Sequence, residues 1–398
     1  MVKEFNNLYA AFIAMGLFLL TGCTGNVSNH NDNRTYSIEE AMQNCQEICL
    51  SEYASDIAYI PLETKEESII GLAPKFRAGN SNYYVYSSTN ITVFDSNGKF
   101  TNLINNHGRG PKEYMLIDGF TIKEDNQISV ISGSKILGYT LDGECVEALD
   151  LDTLGISNVS SCLFIKDGEM AVRTSTPNID GKDTLGLFII DSLLNIKNLG
   201  ILGTESVYNW GIKGTSTTSG SLYSFKGCLR YLKSTGDTLV VYDDNYERLL
   251  CYTFDYGNYN PNDVVINNSK GLRINNVFET ESFIKLILMG NKHSLQEIYA
   301  NGNNDKFLSA GSLILDKATN KLKAMPYNYK YNAHGFVNDI DGGMPFDPVY
   351  YAGDKMYQMI NADKFIEYAT KSNSPQMKEI ASTLTDESNP VLVVATLK

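Results

Sequence analysis

The sequence predicts an all-β protein, a six-bladed β-propeller built from antiparallel sheets. Three observations predict this fold class. Runs of alternating apolar residues recur along the chain, and turns rich in Gly, Asn and Asp separate them. The composition, with 25 Tyr and 17 Phe but one Trp, suits many short strands. The chain also ends in an apolar run, Val391 to Leu397, that can complete a ring of sheets.

The first element along the chain is a signal peptide over residues 1–22. Lys3 supplies a basic start, and the apolar run from Ala10 to Leu20 is too short to cross a bilayer as a mature helix. The string Leu20-Thr21-Gly22-Cys23 resembles a bacterial lipobox. Acylated Cys23 would anchor the protein in a lipid bilayer outside the cytoplasm. The alternative is a plain secretory peptide followed by a chance Cys.

A polar, Asn-rich segment and a short helix come next. Residues 23–36 lack apolar periodicity, which predicts a flexible tether after the lipidated Cys. The propeller domain is then predicted over residues 37–398. Ser37 and Glu40 match a capping box, so we expect a helix from Ile38 to about Cys45.

Six repeated units follow, each with apolar runs joined by polar turns. Gly98 and Gly143 mark equivalent hairpin turns about 45 residues apart, a spacing typical of propeller blades. The two clearest units contain the runs Tyr83 to Tyr86, Ile91 to Gly98 and Phe100 to Ile104, then Gln127 to Ile131, Ile136 to Gly143 and Cys145 to Leu149. Weaker units contain Met170 to Thr174 with Gly186 to Asp191, Thr238 to Tyr242 with Leu249 to Phe254, Phe283 to Met289 with Gly311 to Asp316, and Pro348 to Ala352 with Lys355 to Asn361.

The two ends of the chain are predicted to share the terminal blade. Ile57 to Leu62 has strand character and would pair in the same blade as Val391 to Leu397. Before that last strand, Asp363 to Thr370 and Ser374 to Leu384 have helical composition, with Ser374 placed as N-cap. We expect these helices to form a surface insertion in the last blade.

Several strings resemble the six-bladed β-propeller lipoproteins common in Bacteroidota. They are Ile60-Pro-Leu-Glu-Thr64, Phe94-Asp-Ser-Asn-Gly-Lys-Phe100, Gly108-Arg-Gly-Pro-Lys-Glu-Tyr114, Asn338-Asp-Ile-Asp-Gly-Gly343 and Asn389-Pro-Val-Leu392. The resemblance implies a propeller distantly similar to NHL-repeat propellers, on an outer-membrane lipid anchor, without an established activity. An acidic residue directly after the lipidated Cys commonly retains lipoproteins at the inner membrane, but here Thr24 follows Cys23. We therefore expect the outer membrane, on its periplasmic or its cell-surface face.

Charge and cysteine content limit the partners. The net charge of −13 opposes nucleic-acid binding, and no Lys/Arg cluster forms a basic stripe. Apart from Cys23, six cysteines remain, which permit disulfides in 15 pairings without selecting one. Cys45-x-x-x-Cys49 lacks the second half of a zinc site. No cofactor is expected, with Ca²⁺ kept as a weaker alternative at the Asp-rich segment below.

The best candidate ligand site surrounds a glycine-rich string. His107 precedes Gly108-Arg109-Gly110, where glycines permit close backbone approach and Arg109 can clamp a carboxylate or phosphate. Glu113 and Tyr114 complete this candidate site. The competing interpretation is a crossing between blades in which Arg109 pairs with Glu113 and Tyr114 packs.

A second candidate lies near the C-terminus. Asp339 and Asp341 alternate along a segment taken as extended, so their carboxylates would face one way beside Gly342-Gly343 and could hold Ca²⁺. His334 could join them if the chain folds back. The alternative is a Gly-rich turn in which the Asp side chains cap backbone N–H groups. Nearby, Tyr327, Tyr329 and Tyr331 alternate and could form a stacking platform for sugars, or pack on the blade surface.

These features predict a lipid-anchored cell-envelope module that binds a glycan, a peptide or another envelope protein. The alternative is an envelope hydrolase or lyase whose site is assembled from several blades at the channel mouth. Linear signatures of nucleophilic, zinc-dependent or phosphate-binding catalysis are absent from the sequence. No residue is assigned a catalytic role, and a binding function is favoured over an enzymatic one.

Overall fold

The structure is a computed structural model in which six small antiparallel sheets form a ring, a six-bladed β-propeller. The predicted fold class is confirmed. The structure describes residues 32–71, 74–79, 81–123, 127–166, 168–177, 182–206, 221–233, 235–261, 270–290 and 310–398. In the described part of the chain, no helix is long and apolar enough to cross a membrane.

The blades follow one another along the chain, and each starts with its innermost strand. Blade 1 contains β3 (Lys75–Ala78), β4 (Asn82–Tyr86), β5 (Ile91–Asp95) and β6 (Phe100–Ile104), and blade 2 contains β7 (Gly119–Ile122), β8 (Ile128–Ser132), β9 (Lys135–Tyr139) and β10 (Cys145–Asp150). Blade 3 contains β11 (Val159–Phe164), β12 (Met170–Pro177), β13 (Lys182–Ile190) and β14 (Ile196–Ser206).

Of the remaining three blades, blades 4 and 6 include strands from the ends of the described chain. Blade 4 contains β15 (Leu222–Phe225), β16 (Cys228–Leu232), β17 (Thr238–Tyr242) and β18 (Arg248–Asp255), with β1 (Asp32–Ser37) added at its outer edge. Blade 5 contains β19 (Leu272–Glu279), β20 (Phe283–Gly290), β21 (Ala310–Asp316) and β22 (Lys321–Ala324). Blade 6 contains β23 (Tyr350–Ala352), β24 (Lys355–Ile360), β25 (Val391–Leu397) and β2 (Ala54–Pro61).

The repeated turns of the sequence are the turns that join the third and fourth strands of blades 1 and 2. Gly98 has φ +79° and Gly143 has φ +81°, in the left-handed region that favours glycine. A Cβ at Gly98 would lie 2.3 Å from the Pro61 carbonyl oxygen, so a larger residue would also collide with the strand of the neighbouring blade. Gly98 therefore permits both the hairpin turn of blade 1 and the close approach of β2 in blade 6.

The ring closes where the sequence predicts. In blade 6, β2 pairs antiparallel with β25, and Ile57 lies opposite Ala395 while Pro61 lies opposite Val391. Val391 through Ala395 are buried between β24 and β2. Because strands from both ends of the chain are hydrogen-bonded in one sheet, the ends hold each other in place.

The N-terminal boundary needs a correction. Residues 32–36, assigned to the tether from their polar sequence, lie in β1, which runs parallel to β18 from Asp32 opposite Leu250 to Ser37 opposite Asp255. This strand covers the outer edge of blade 4, and that pairing comes from tertiary contact and not from apolar periodicity. The predicted N-cap is confirmed: Ser37 Oγ accepts a hydrogen bond from the Glu40 N–H and begins helix α1 (Ile38–Gln43).

The C-terminal helices form as predicted but are not confined to the surface. Helices α2 (Ala362–Lys371) and α3 (Pro375–Ala381) lie between β24 and β25, and Ser374 caps α3 by accepting from the Met377 N–H. Phe365 and Met377 are fully buried in the large apolar cluster that fills the space between blades 5 and 6. The insertion therefore contributes to the core.

Short helical turns of the 3-10 type complete the fold at Leu50–Glu52, Glu66–Ser68 and Leu151–Leu154. All six cysteines of the described chain are free thiols: Cys45, Cys49, Cys145, Cys162, Cys228 and Cys251. The fold is therefore held by packing and strand pairing without disulfides in the described residues.

Candidate functional site: the central channel

The innermost strands of all six blades surround a central channel with a cavity of about 1340 Å³. Each innermost strand is the edge of its sheet, so one row of its backbone N–H and C=O groups faces the channel and not another strand. A cavity of this size, lined by every blade, has the concave form typical of small-molecule sites.

One part of the channel wall, at blades 1 and 6, carries two cations on aromatic rings. Strand β3 places Lys75 and Arg77 on the same face because side chains alternate along a strand. The Arg77 guanidinium carbon lies 5.9 Å from the ring centroid of Tyr86 and 5.1 Å from that of Tyr350, and Lys75 Nζ lies 5.9 Å from the Tyr86 ring. These four residues are called the open wall.

The guanidinium of the open wall has few protein partners. Arg77 Nη1 donates a hydrogen bond of 2.8 Å to the Phe76 carbonyl oxygen. Within the described chain, neither Lys75 nor Arg77 has a carboxylate within ion-pair distance. Burial raises the pKa of Tyr350, and the positive charge of Arg77 partly offsets that effect.

At blades 4 and 5, the lining residues Tyr223 and Glu279 contact two cations that do not themselves line the cavity, Arg230 and Lys317. Glu279, at the end of β19, has a side chain only 3% exposed. Lys317 Nζ lies 2.8 Å from Glu279 Oε1, Arg230 Nε lies 3.3 Å from Oε2, and the Tyr223 hydroxyl donates to Oε2 over 2.8 Å. Lys317 Nζ also lies 4.2 Å from the Phe225 ring centroid. Tyr223, Arg230, Glu279 and Lys317 are called the paired wall.

The paired wall affects the titration of its tyrosine. Burial raises the pKa of Tyr223 well above its ordinary value, and the neighbouring negative charge of Glu279 raises it further. Tyr223 therefore stays protonated and keeps its hydrogen bond to Glu279 across the neutral pH range.

The remaining charged groups of the described channel lining are also engaged. Lys123, which follows β7, forms an ion pair with Glu147 and lies 4.9 Å from the ring centroid of Phe164. Asp118 accepts a hydrogen bond of 2.7 Å from the backbone N–H of Gly133. The open wall is therefore the part of the described lining where cations have no protein counter-charge.

The glycine-rich string predicted as a ligand site lies outside this channel, on the connection between blades 1 and 2. His107 and Arg109 are exposed there, and Glu113 accepts a hydrogen bond of 2.8 Å from the Gly110 N–H, which stabilises the turn. Tyr114 is fully buried against Tyr139. Arg109 and Glu113 do not form an ion pair, so that part of the competing interpretation, the crossing between blades, is wrong.

The predicted site near the C-terminus is divided between two hydrogen-bond networks. Asp339 accepts from the N–H and hydroxyl of Ser51, whereas Asp341 accepts from Tyr59, Asn338 and Ser374. The segment is a turn and not extended, so the expectation that the two carboxylates face one way is wrong.

The other residues near the C-terminus contact aromatic rings. His334 packs edge-on against Tyr327 at a centroid distance of 5.1 Å. Tyr327 and Tyr331 are buried, and Tyr329 is exposed, so the three rings do not form one exposed platform. In the described residues, no group of three or more His, Cys, Asp or Glu side chains could hold a metal ion.

Sequence reasoning missed the channel because it missed five of the innermost strands. Three of them, β3, β7 and β15, have only four residues each, which is too short to show a clear apolar alternation. The alternating cations Lys75 and Arg77, in a stretch without nearby acids, were the available signal. Cys23 lies outside the described residues.

Comparisons with known proteins identify a family and a fold. Residues 33–396 match a family described as "Domain of unknown function (DUF4934)". A solved structure described as a "Putative exported protein" from Bacteroides fragilis NCTC 9343 is similar, with a TM-score of 0.64 and 17% identity over 92% of this chain and 99% of that one. The WD40 domain of Neurospora crassa Pan2 gives a TM-score of 0.39 at 9% identity, over 71% of this chain and 74% of that domain. No curated protein matches the chain.

Proposed function

We propose that this chain, which belongs to the family described as DUF4934, is an exported, lipid-anchored β-propeller that binds a small ligand in its central channel. The observation that carries the proposal is the channel itself, a cavity of about 1340 Å³ lined by all six blades. Its lining combines cationic, hydroxyl and aromatic groups, which supply orientation and contact area for an organic ligand.

The channel favours a glycan over the other ligands considered from the sequence. Saccharides alternate hydroxyl groups with C–H faces, and they are recognised by hydrogen bonds together with aromatic rings. The lining supplies both kinds of group, with Ser161, Ser224 and Asn276 on one side and Tyr350 and Tyr351 on another. A ligand that enters the channel is also a better fit to this geometry than an envelope protein that docks outside it.

Binding is favoured over turnover by the state of the carboxylates. Asp118 and Glu279 are the acids of the described lining, and both accept hydrogen bonds from the protein. A general acid or base needs access to the proton that it transfers. An envelope hydrolase or lyase remains the competing function, and the same experiment separates the two.

The test combines a binding screen with a block of the channel. Val349 is 55% exposed at the channel lining, and Leu193 is 81% exposed on a turn of blade 3 that is not part of it. Purified wild type, Val349→Trp and Leu193→Trp are titrated calorimetrically with neutral and acidic oligosaccharides and short peptides, and each mixture is then chromatographed for products.

We expect a saccharide to bind wild type and Leu193→Trp but not Val349→Trp, without product formation. Binding that survives in Val349→Trp would place the site outside the channel and overturn the proposal. Accumulation of a product would replace the binding function with the enzymatic one.

The location is a second part of the proposal. It is supported by the lipobox-like string that ends at Cys23 and by the printed description of the Bacteroides fragilis structure as exported. We expect Cys23→Ala to move the protein from the outer-membrane fraction into a soluble fraction. Retention of Cys23→Ala with the membranes would show that Cys23 is not the anchor.

A further inference from the structure

We infer that Lys75 and Arg77 of the open wall bind a carboxylate, and that the ligand of the channel is an acidic saccharide. The inference rests on the proposed function, because it names the ligand class of the same channel. It is carried by the difference between these two cations and three others: Lys123, which lines the channel, and Arg230 and Lys317, which contact the lining residue Glu279.

The first step concerns charge. The protein carries 46 acidic residues against 33 basic ones, so a cation without a nearby carboxylate is not explained by a shortage of acids. Lys123, Arg230 and Lys317 each pair with a glutamate, whereas Lys75 and Arg77 have no ion-pair partner in the described chain. An anionic group of a ligand would supply that missing counter-charge.

The second step concerns geometry. The ring centroids of Tyr86 and Tyr350 lie 5.9 Å and 5.1 Å from the guanidinium carbon of Arg77, and the Phe76 carbonyl oxygen accepts a hydrogen bond from Nη1. The other N–H donors of Arg77 have no acceptor among the residues that the structure describes. A guanidinium presents its donors as a rigid fork that matches a carboxylate, so an oriented Arg loses little freedom when it binds one.

The third step concerns the rest of the ligand. Three hydroxyl groups of the lining, on Thr121, Ser161 and Ser224, have no hydrogen-bond partner in the described part of the protein. They belong to blades 2, 3 and 4, away from the open wall. A ligand with a carboxylate at one end and hydroxyl groups along its length matches both features, and a hexuronate oligosaccharide has this chemistry.

The experiment measures affinity for matched acidic and neutral sugars. The probes are trimers of galacturonate, glucuronate and mannuronate, each with its carboxyl-reduced neutral counterpart, and a tripeptide with a free C-terminus. Titration calorimetry is done on wild type, Arg77→Gln, Arg77→Lys and Lys75→Gln. Arg248→Gln is the matched control, because Arg248 is an exposed arginine outside the channel, and Arg109→Gln tests the glycine-rich string as a competing site.

We expect an acidic trimer to bind at least about tenfold more tightly than its neutral counterpart, and Arg77→Gln to lose about 10- to 100-fold of that affinity. Arg77→Lys keeps the charge but not the planar fork, so its loss is intermediate. Lys75→Gln loses less than Arg77→Gln, and Arg248→Gln binds as wild type does. Raising the salt concentration weakens binding of the acidic trimer in wild type more than in Arg77→Gln.

Several results would overturn the inference. Equal affinity of acidic and neutral trimers, with binding still blocked in Val349→Trp, would leave the channel as the site and remove the carboxylate preference. Loss of binding in Arg109→Gln but not in Arg77→Gln would move the site to the loop between blades 1 and 2. Preference for the tripeptide would replace the saccharide with a peptide. Absence of binding by every probe would remove the proposed function as well.

Discussion

The open wall and the paired wall both contain cations that line the channel or contact its lining, but only the paired wall neutralises them with a carboxylate. Arg230 and Lys317 lie around a fixed, buried carboxylate, Glu279, so their charge is used within the fold. Arg77 lies between aromatic rings that orient it without neutralising it. The comparison teaches that an arginine at a channel is not by itself a ligand-binding group. A cation paired with a buried carboxylate is structural, whereas a cation without a carboxylate partner is available to a ligand.

The largest expected effect is a loss of stability when the ring that holds both walls is opened. Truncation after Asn389 removes β25, exposes an edge of β2 and β24, and loses the burial of Val391 through Ala395. Burial of even three such side chains contributes on the order of 5 kcal/mol, comparable to the net stability of many domains. We expect the truncated protein to aggregate or to melt far below the full chain in a thermal scan followed by size-exclusion chromatography. An unchanged melting temperature in a monomeric product would refute the closure.

The next effect tests the paired wall. Glu279→Gln leaves Arg230 and Lys317 without their counter-charge, and we expect a loss of about 3 kcal/mol in the free energy of unfolding. Glu147→Gln is the matched control, since Glu147 is 48% exposed and its pair with Lys123 should contribute only about 0–1 kcal/mol. Urea denaturation measures both variants. Equal losses in the two would mean that the paired wall is no more structural than a surface pair.

A smaller effect concerns alkaline pH. The pKa of Tyr223 is raised in the folded protein, so its contribution to stability is complete below the unfolded pKa, near 10, and is lost as pH rises toward the folded value. We expect stability to fall above about pH 10, and Tyr223→Phe to show a shallower fall because it cannot ionise. Urea midpoints at pH 8 to 11 measure the slope. Since other buried tyrosines also have raised pKa values, parallel slopes in the two proteins would count against a specific role of Tyr223.

The smallest expected effect on stability is at the open wall. Arg77→Gln removes a cation that has no carboxylate partner in the described chain, so no buried charge is left unpaired. We expect a change within about 1 kcal/mol, which corresponds to loss of stacking on Tyr86 and Tyr350. The urea denaturation used for Glu279→Gln makes the comparison. A loss of unfolding free energy as large as that of Glu279→Gln would show that Arg77 is structural. The proposed difference between the open wall and the paired wall would then be wrong.

Outer strands were predictable, whereas the candidate site was not. Runs such as Tyr83 to Tyr86 and Ile136 to Gly143 are buried or face a neighbouring blade, so their apolar alternation is visible in the sequence. The innermost strand β3 is only four residues long, and two of those residues are Lys75 and Arg77. The functional hypotheses therefore went to conspicuous glycine- and aspartate-rich turns, which the structure shows hydrogen-bonded to their own chain.

The sequence by itself determined the propeller, its six units, the closing strand and the helix caps at Ser37 and Ser374, because these follow from local periodicity, turn chemistry and the apolar run at the C-terminus. Tertiary structure alone decided the pairing of β1 with β18, the burial of Phe365, and the meeting of Arg77 with Tyr350 across two blades. The reason is physical. Arg77 meets Tyr350 only because the closed ring brings the first and last blades together, and the charge of each wall depends on which carboxylate the fold places beside it.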